Sequence, residues 1–170
     1  MNTITTTPLE SSPGIKVRKG KYLGFTLAGE GYGIPVVKVR EIIGMMPINT
    51  VPNVPEFIKG IINLRDKVIP VIDLRLKFQM EACEYTERTC IIVVEIMLNE
   101  KIVYCGIIVD AVSEVLDVHE ENIEETPSFG SKFDTSFILG IAKVNDKVKI
   151  LLNIDEIFSS SERIALKKAE

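Results

Sequence analysis

The nineteen residues at positions 60–78, GIINLRDKVIPVIDLRLKF, return eighty positions later as GIAKVNDKVKILLNIDEIF at 140–158, aligned without a gap. Six pairs are identical: Gly60/Gly140, Ile61/Ile141, Asp66/Asp146, Lys67/Lys147, Val68/Val148 and Phe78/Phe158. Most of the others exchange one apolar residue for another, as in Leu64/Val144, Val71/Leu151, Ile72/Leu152 and Leu74/Ile154. An earlier pair precedes them, because GIPVVKVREII at 33–43 matches GIIVDAVSEVL at 106–116 with Gly, Ile, Val, Val and Glu in register. Two matched segments in the same order mark an internal duplication. A solenoid needs at least three repeats to bury a continuous core, so two copies must instead pair with each other.

A chain of 170 residues is long enough to bury roughly 70% of its extended surface without a disulfide or a metal. Its hydrophobic fraction of 46% beside 26% charged residues fits a globular protein. The net charge of -4 counts against nucleic acid or an anionic membrane surface, since both select clustered Lys and Arg. A protein partner fits better. Cys83, Cys90 and Cys105 are odd in number and lack a Cys-x-x-Cys pairing, which reads as reduced, mostly buried thiols of a cytosolic protein. The first fourteen residues, MNTITTTPLESSPG, have neither the basic start nor the apolar centre of a signal peptide, and a disordered tail is expected over residues 1–19. The longest apolar run, near 102–109, is far short of the roughly 20 residues of a membrane helix. A cytoplasmic protein without direct membrane insertion is expected.

Residues 22–27 alternate, with Leu23, Phe25 and Leu27 on one side, the two-residue period of a half-buried strand. Gly29, Gly31 and Gly33 predict a turn, with a second strand starting at Ile34. Residues 38–42 read as a short bent strand or a turn leading to Ile48. Pro52 and Pro55 forbid a regular helix and predict a shaped loop. Residues 60–64 and 67–72 predict a hairpin, in which Pro70 requires an edge position or a bulge. In the second unit, strands are expected at 90–98 and 101–109, of which 91–94 and 102–109 are apolar on both faces, as for strands covered on both sides; they lie where the units pack together or where a partner docks. A strand at 112–118, an exposed acidic loop at 120–125 and strands at 138–144 and 147–152 complete the copy. Ser159 with Glu162 fits a capping box ahead of a C-terminal helix. Short strands about ten residues apart predict two five-stranded barrels side by side, since closure removes exposed edges.

No catalytic constellation accompanies this frame. The single histidine, His119, sits in a polar loop with no nucleophile in a recognisable setting. One His and three scattered Cys do not supply four metal ligands at usual spacings. The Gly29-x-Gly31-x-Gly33 run lacks the Lys-Ser/Thr of a phosphate loop and precedes a strand rather than a helix. Glu120, Glu121, Glu124 and Glu125 lack the alternating aspartates of a calcium loop and read as a solvated face. No catalytic residue, cofactor or metal is therefore assigned.

The stretch VPNVPEFIKGIINLRDKVIPVIDLRLKF resembles the signature of CheW-like chemotaxis coupling proteins. FILGIAKVNDKVKILLNIDEIF resembles that family's C-terminal signature, and YGIPVVKVREI matches its early pattern. The resemblance covers about residues 20–158. It implies a mainly β fold of two five-stranded SH3-like barrels around a shared hydrophobic junction, with short helices and a C-terminal helical tail. One domain over 20–158 would contain two pseudo-repeated barrels, about 20–80 and 88–158, with exchange of strands across that boundary left open; 159–170 would be a tail. It further implies a non-catalytic adaptor joining the cytoplasmic tips of methyl-accepting chemoreceptors to the regulatory domain of a CheA-type histidine kinase, recruited to membrane receptor arrays.

Position by position, Asn63, Leu64 and Arg65 correspond to the family's Asn-Leu-Arg, whose arginine lies near the receptor groove. Its guanidinium can bond several acceptors of a receptor helix at once, or it can tie down a loop of its own barrel; both readings stand. Gly60 and Ile61 would line the same groove. Val39, Glu41 and Ile42 match a segment implicated in partner contact, although Val39 and Ile42 equally fit core packing and Glu41 has a repeat counterpart in Glu114. Many relatives have glycine after the arginine, whereas this chain has Asp66, which predicts a different turn type. The alternative function is a small barrel that binds nucleic acid; it lacks support from any interleaved basic and aromatic stripe.

Overall fold

The computed structural model describes residues 19–127, 135–158 and Glu162. The expected N-terminal tail lies outside them except for Lys19. So does the expected C-terminal helix except for Glu162, whose carboxylate is 3.2 Å from Lys77 Nζ.

Eleven strands form among the described residues. The first unit supplies β1 (Gly20–Leu27), β2 (Glu30–Pro35), β3 (Val39–Gly44), β4 (Ile58–Leu64) and β5 (Lys67–Asp73), followed by a one-turn helix α1 (Leu74–Lys77). The second supplies β6 (Cys90–Leu98), β7 (Lys101–Val109), β8 (Ala111–Val118), β9 (Ile123–Glu124), β10 (Ile138–Val144) and β11 (Lys147–Leu152), ending in a 3-10 turn at Ile154–Glu156. The mainly β fold expected from the sequence is present, and its topology shows how the copies pair. One sheet runs β3-β6-β7-β5-β4 and the other β8-β1-β2-β11-β10-β9. Each sheet thus takes the first hairpin of one copy and the remaining strands of the other. The second sheet has six strands rather than five because part of the expected acidic loop forms β9, which pairs with β10 through Ala142↔Ile123.

The exchange explains the distribution of apolar residues. Ile91, Val93 and Ile108 point into one sheet with Ile62, Ile69 and Val71. Tyr22, Leu116, Val118, Ala142 and Leu151 fill the other. The opposite faces of β1, β6 and β7 meet in the junction between the sheets, where Phe25, Leu27, Ile34, Ile92, Val94, Ile96 and Ile107 are all fully buried. The strands β6 and β7 are apolar on both faces because one face lines a barrel and the other the junction. The same holds for β1, which is more covered than a half-buried strand, since Tyr22 is buried along with Leu23, Phe25 and Leu27.

Two parallel contacts carry the exchange, β5 with β7 through Val71↔Gly106 and β11 with β2 through Leu151↔Gly33. The repeated glycine belongs to both. A side chain at Gly106 would stand 2.7 Å from Ile91 Cγ2 and 3.4 Å from Val71, and one at Gly33 3.3 Å from Leu151 Cδ2. Gly31 and Gly33 therefore lie within β2, and the turn expected across them is confined to Ala28 and Gly29, both with positive φ. Pro70 is paired to β4 through Ile61, one residue before β5 begins to pair with β7. Its position is edge-like locally, within a strand that is internal overall. Of the cysteines, only Cys105 is buried; Cys90 is half-buried and Cys83 exposed.

Candidate functional site

Strands β3 and β4 are the two ends of the five-stranded order, yet their residues meet because the sheet curls round. Asn49, in the segment after β3, donates its N–H to the Ile61 carbonyl at 2.9 Å and accepts the Ile61 N–H at 2.8 Å. The backbone can approach so closely only because residue 60 is glycine, buried and at φ +147°. The space left by its missing side chain is filled by the carbonyl of Asn49.

At the same end of the sheet, both terminal guanidinium nitrogens of Arg65 donate to the carboxylate of Glu41, Nη2 to Oε2 at 2.9 Å and Nη1 to Oε1. The hydrogen bonds lower the Glu41 carboxyl from its ordinary range and raise the Arg65 guanidinium. The pair is solvent-facing, with 72% of the Arg65 side chain exposed, so it adds little to stability. Its effect is orientation, because a bidentate fork fixes a planar cation more firmly than one bond does. Two groups of residues singled out separately in the sequence are thereby joined at one corner. Asn63 and Arg65 are exposed there and Ile61 and Leu64 are half-buried. Val39 packs against the junction core, whereas Ile42 is 45% exposed.

The turn that presents Arg65 has positive φ at both central residues, Arg65 at 50° and Asp66 at 67°, the pattern favoured in two-residue hairpins. Asn145 and Asp146 repeat it at 53° and 62°. Both copies accept aspartate at the left-handed second position of the same kind of turn. Asp66→Val, which puts a β-branched residue there, is expected to cost about 1–2 kcal/mol in chemical denaturation, while Asp66→Gly is expected to leave stability unchanged or raise it.

The duplication isolates what is particular to this corner. Glu114 repeats Glu41, but Asn145 stands where Arg65 would be, and among the described residues Glu114 makes no ion pair. The ion pair is not a requirement of the barrel. Sequence reasoning missed the neighbouring cluster: the Tyr104 ring lies between Arg40 (5.5 Å) and Lys67 (4.6 Å), with Arg40 also 2.9 Å from Glu95. Those residues come from four strands, β3, β5, β6 and β7, and no local spacing announces them.

A family model for the CheW-like domain matches residues 21–162. The chain belongs to the CheW-like family. It is 39% identical to the chemotaxis protein CheW of Klebsiella aerogenes over 142 residues, which covers 84% of this chain and 83% of that protein. It is 34% identical to the chemotaxis protein CheW of Rhizobium meliloti, covering 84% and 90%. Among solved structures, the scaffolding protein TtCheW from Thermoanaerobacter tengcongensis superposes with a TM-score of 0.74 at 39% identity, covering 85% of this chain and 96% of that one. Membership places this CheW-like chain among chemotaxis scaffold proteins. No helix among its described residues is long and apolar enough to cross a membrane.

Proposed function

We propose that this chain is a non-catalytic chemotaxis adaptor that couples the cytoplasmic tips of methyl-accepting chemoreceptors to a CheA-type histidine kinase, recruited from the cytoplasm to membrane receptor arrays. One domain over residues 20–158 carries the activity, and the Glu41–Arg65 corner is its receptor-facing contact. The observation that carries this reading is the Glu41–Arg65 ion pair, which has no counterpart at Glu114 and Asn145 among the described residues of the second copy. A duplicated fold with unlike ends suits a bridge between unlike partners. Arg65 is held in the open by Glu41 and keeps donors directed at solvent, where a receptor carbonyl or carboxylate can take them. The exposed Ile42 and Asn63 supply apolar and polar contact beside it.

Reconstituting receptor, kinase and this protein should give kinase activity that follows receptor state; equal activity with and without the chain rejects the proposal. Arg65→Glu is expected to weaken receptor control roughly tenfold with little change in melting temperature. A large thermal destabilisation with coupling intact would assign Arg65 to its own barrel instead.

A further inference from the structure

The two copies differ most where the β6–β7 hairpin outgrows its counterpart. Strands β1 and β2 pair over six positions, β6 and β7 over nine. The parallel contact of β5 with β7 covers only Val71↔Gly106, Ile72↔Ile107 and Asp73↔Ile108. Ahead of it the strands part. Residues 67–70 of β5 are in register with β4, and residues 101–104 of β7 with β6, without a ladder between the two stretches. Two strand edges therefore face each other across an open wedge of about 560 Å³, lined by Lys67, Val68, Ile69, Ile102, Tyr104 and a single carboxylate, Glu95, whose charge is already taken by Arg40 at 2.9 Å. The β2–β11 contact leaves no such wedge, because its pairing starts at Gly31, one residue into β2.

Strand edges with free backbone groups accept another extended chain. The side chains at this mouth match that use: Val68 is 50% and Ile102 60% exposed. Lys67 rests its ammonium on the Tyr104 ring and has no carboxylate partner among the described residues. Lys101 stands at the start of the free β7 edge. A second copy of this chain would bring lysine against lysine, whereas an acidic strand would be drawn in. We propose that this wedge is a docking site for an extended, acidic segment of a partner protein, which adds as a strand along the free edge of β7, sets apolar residues between Val68 and Ile102, and places a carboxylate at Lys67. The site is separate from the Glu41–Arg65 corner and does not rest on the adaptor reading.

A library of displayed random ten-residue peptides, panned on the full chain and counter-selected on an Ile102→Glu variant, tests this directly. The expected result is enrichment of sequences that alternate apolar residues with Asp or Glu. A synthetic copy of the best of them should shift the amide resonances of residues 67–69 and 102–104, slow exchange of the latter amides, and bind roughly tenfold more weakly to Lys67→Gln. Ile102→Glu changes an exposed residue and is expected to fold; Val68→Glu provides the same blockade from the other lip. The proposal is overturned by absence of enrichment over Ile102→Glu, by peptides without acidic residues that ignore Lys67→Gln, or by resonance shifts located elsewhere. Sedimentation showing a dimer that Ile102→Glu dissolves would assign the wedge to a second copy and likewise overturn it.

Discussion

Gly60→Ala is expected to lower the unfolding free energy by about 3 kcal/mol or more, with a matching fall in the denaturant midpoint. An added Cβ would lie 2.0 Å from the Asn49 carbonyl oxygen, 2.7 Å from its carbon and 2.9 Å from Ile48 Cγ2. The nearest two atoms are backbone, so no rotamer change relieves the clash. The φ of +147° adds strain for any residue bearing a side chain. To make room, the chain must give up the reciprocal Asn49–Ile61 hydrogen bonds that bring the segment after β3 against β4. With them goes the approach that lets Glu41 reach Arg65, so receptor control is expected to fall together with stability in this variant, unlike in Arg65→Glu. Gly44→Ala is the control. Gly44 is exposed in β3 with nothing within 4 Å of an added Cβ, and its replacement is expected to change stability by no more than about 0.5 kcal/mol. Equal urea midpoints for the two variants would show that the strands can part at Asn49 without cost.

The ends of β6, β7, β10 and β11 were legible in the sequence because turn residues bracket them and the repeat aligns the second pair with β4 and β5. The pairing between copies was not. Hydrophobic period reports which residues need cover, not which strand supplies it, so the exchange of hairpins left only an indirect trace, the two-sided apolarity of β6 and β7. The repeated Gly33/Gly106 was a second trace: each stands where a strand of the other copy lies too close for a side chain. The corner site was half legible. Glu41 and Arg65 were each singled out, but their contact depends on a sheet curling until its first and last strands meet. Tyr104, Arg40 and Lys67 carried no signal, since a cation over an aromatic ring requires no spacing in sequence. Gly60 was assigned to a groove for its small size, and the space beside it holds the backbone of Asn49. Glycine in a sequence marks a close approach without naming what approaches.

Asp110→Ala is expected to cost about 2–3 kcal/mol, the second large effect, because this carboxylate joins three parts of the junction. It accepts Arg75 Nε at 2.8 Å and Nη2 at 2.6 Å, and the N–H of Ala28 at 2.8 Å. The bend between β7 and β8 is thus fastened both to α1, which follows β5, and to the β1–β2 turn, across the boundary between the sheets. Only 16% of the Arg75 side chain and 27% of that of Asp110 are exposed, so removing the carboxylate leaves a largely covered cation with the Glu81 carbonyl as its remaining acceptor, while the exposed Ala28 amide turns to water. The Arg75 hydrogen bonds hold the Asp110 carboxyl below its ordinary value, against the opposing effect of burial. Its contribution is therefore complete above the unfolded value of about 3.9 and is lost as pH falls through the lower folded value. The stability gap between the wild-type chain and Asp110→Ala should be widest at neutral pH and shrink below about pH 4; a gap independent of pH would mean that the side chain acts through packing alone. The other end of the junction has a fastening of reversed polarity. Asp155, the repeat counterpart of Arg75, accepts Lys38 Nζ at 3.0 Å and the Met97 N–H at 2.9 Å. The cation follows β5 in one copy and the carboxylate follows β11 in the other. A double-mutant cycle between Arg75→Ala and Asp110→Ala should give a coupling of roughly 1–2 kcal/mol, whereas Arg75→Ala with Asp155→Ala, at opposite ends of the junction, should be additive within about 0.5 kcal/mol.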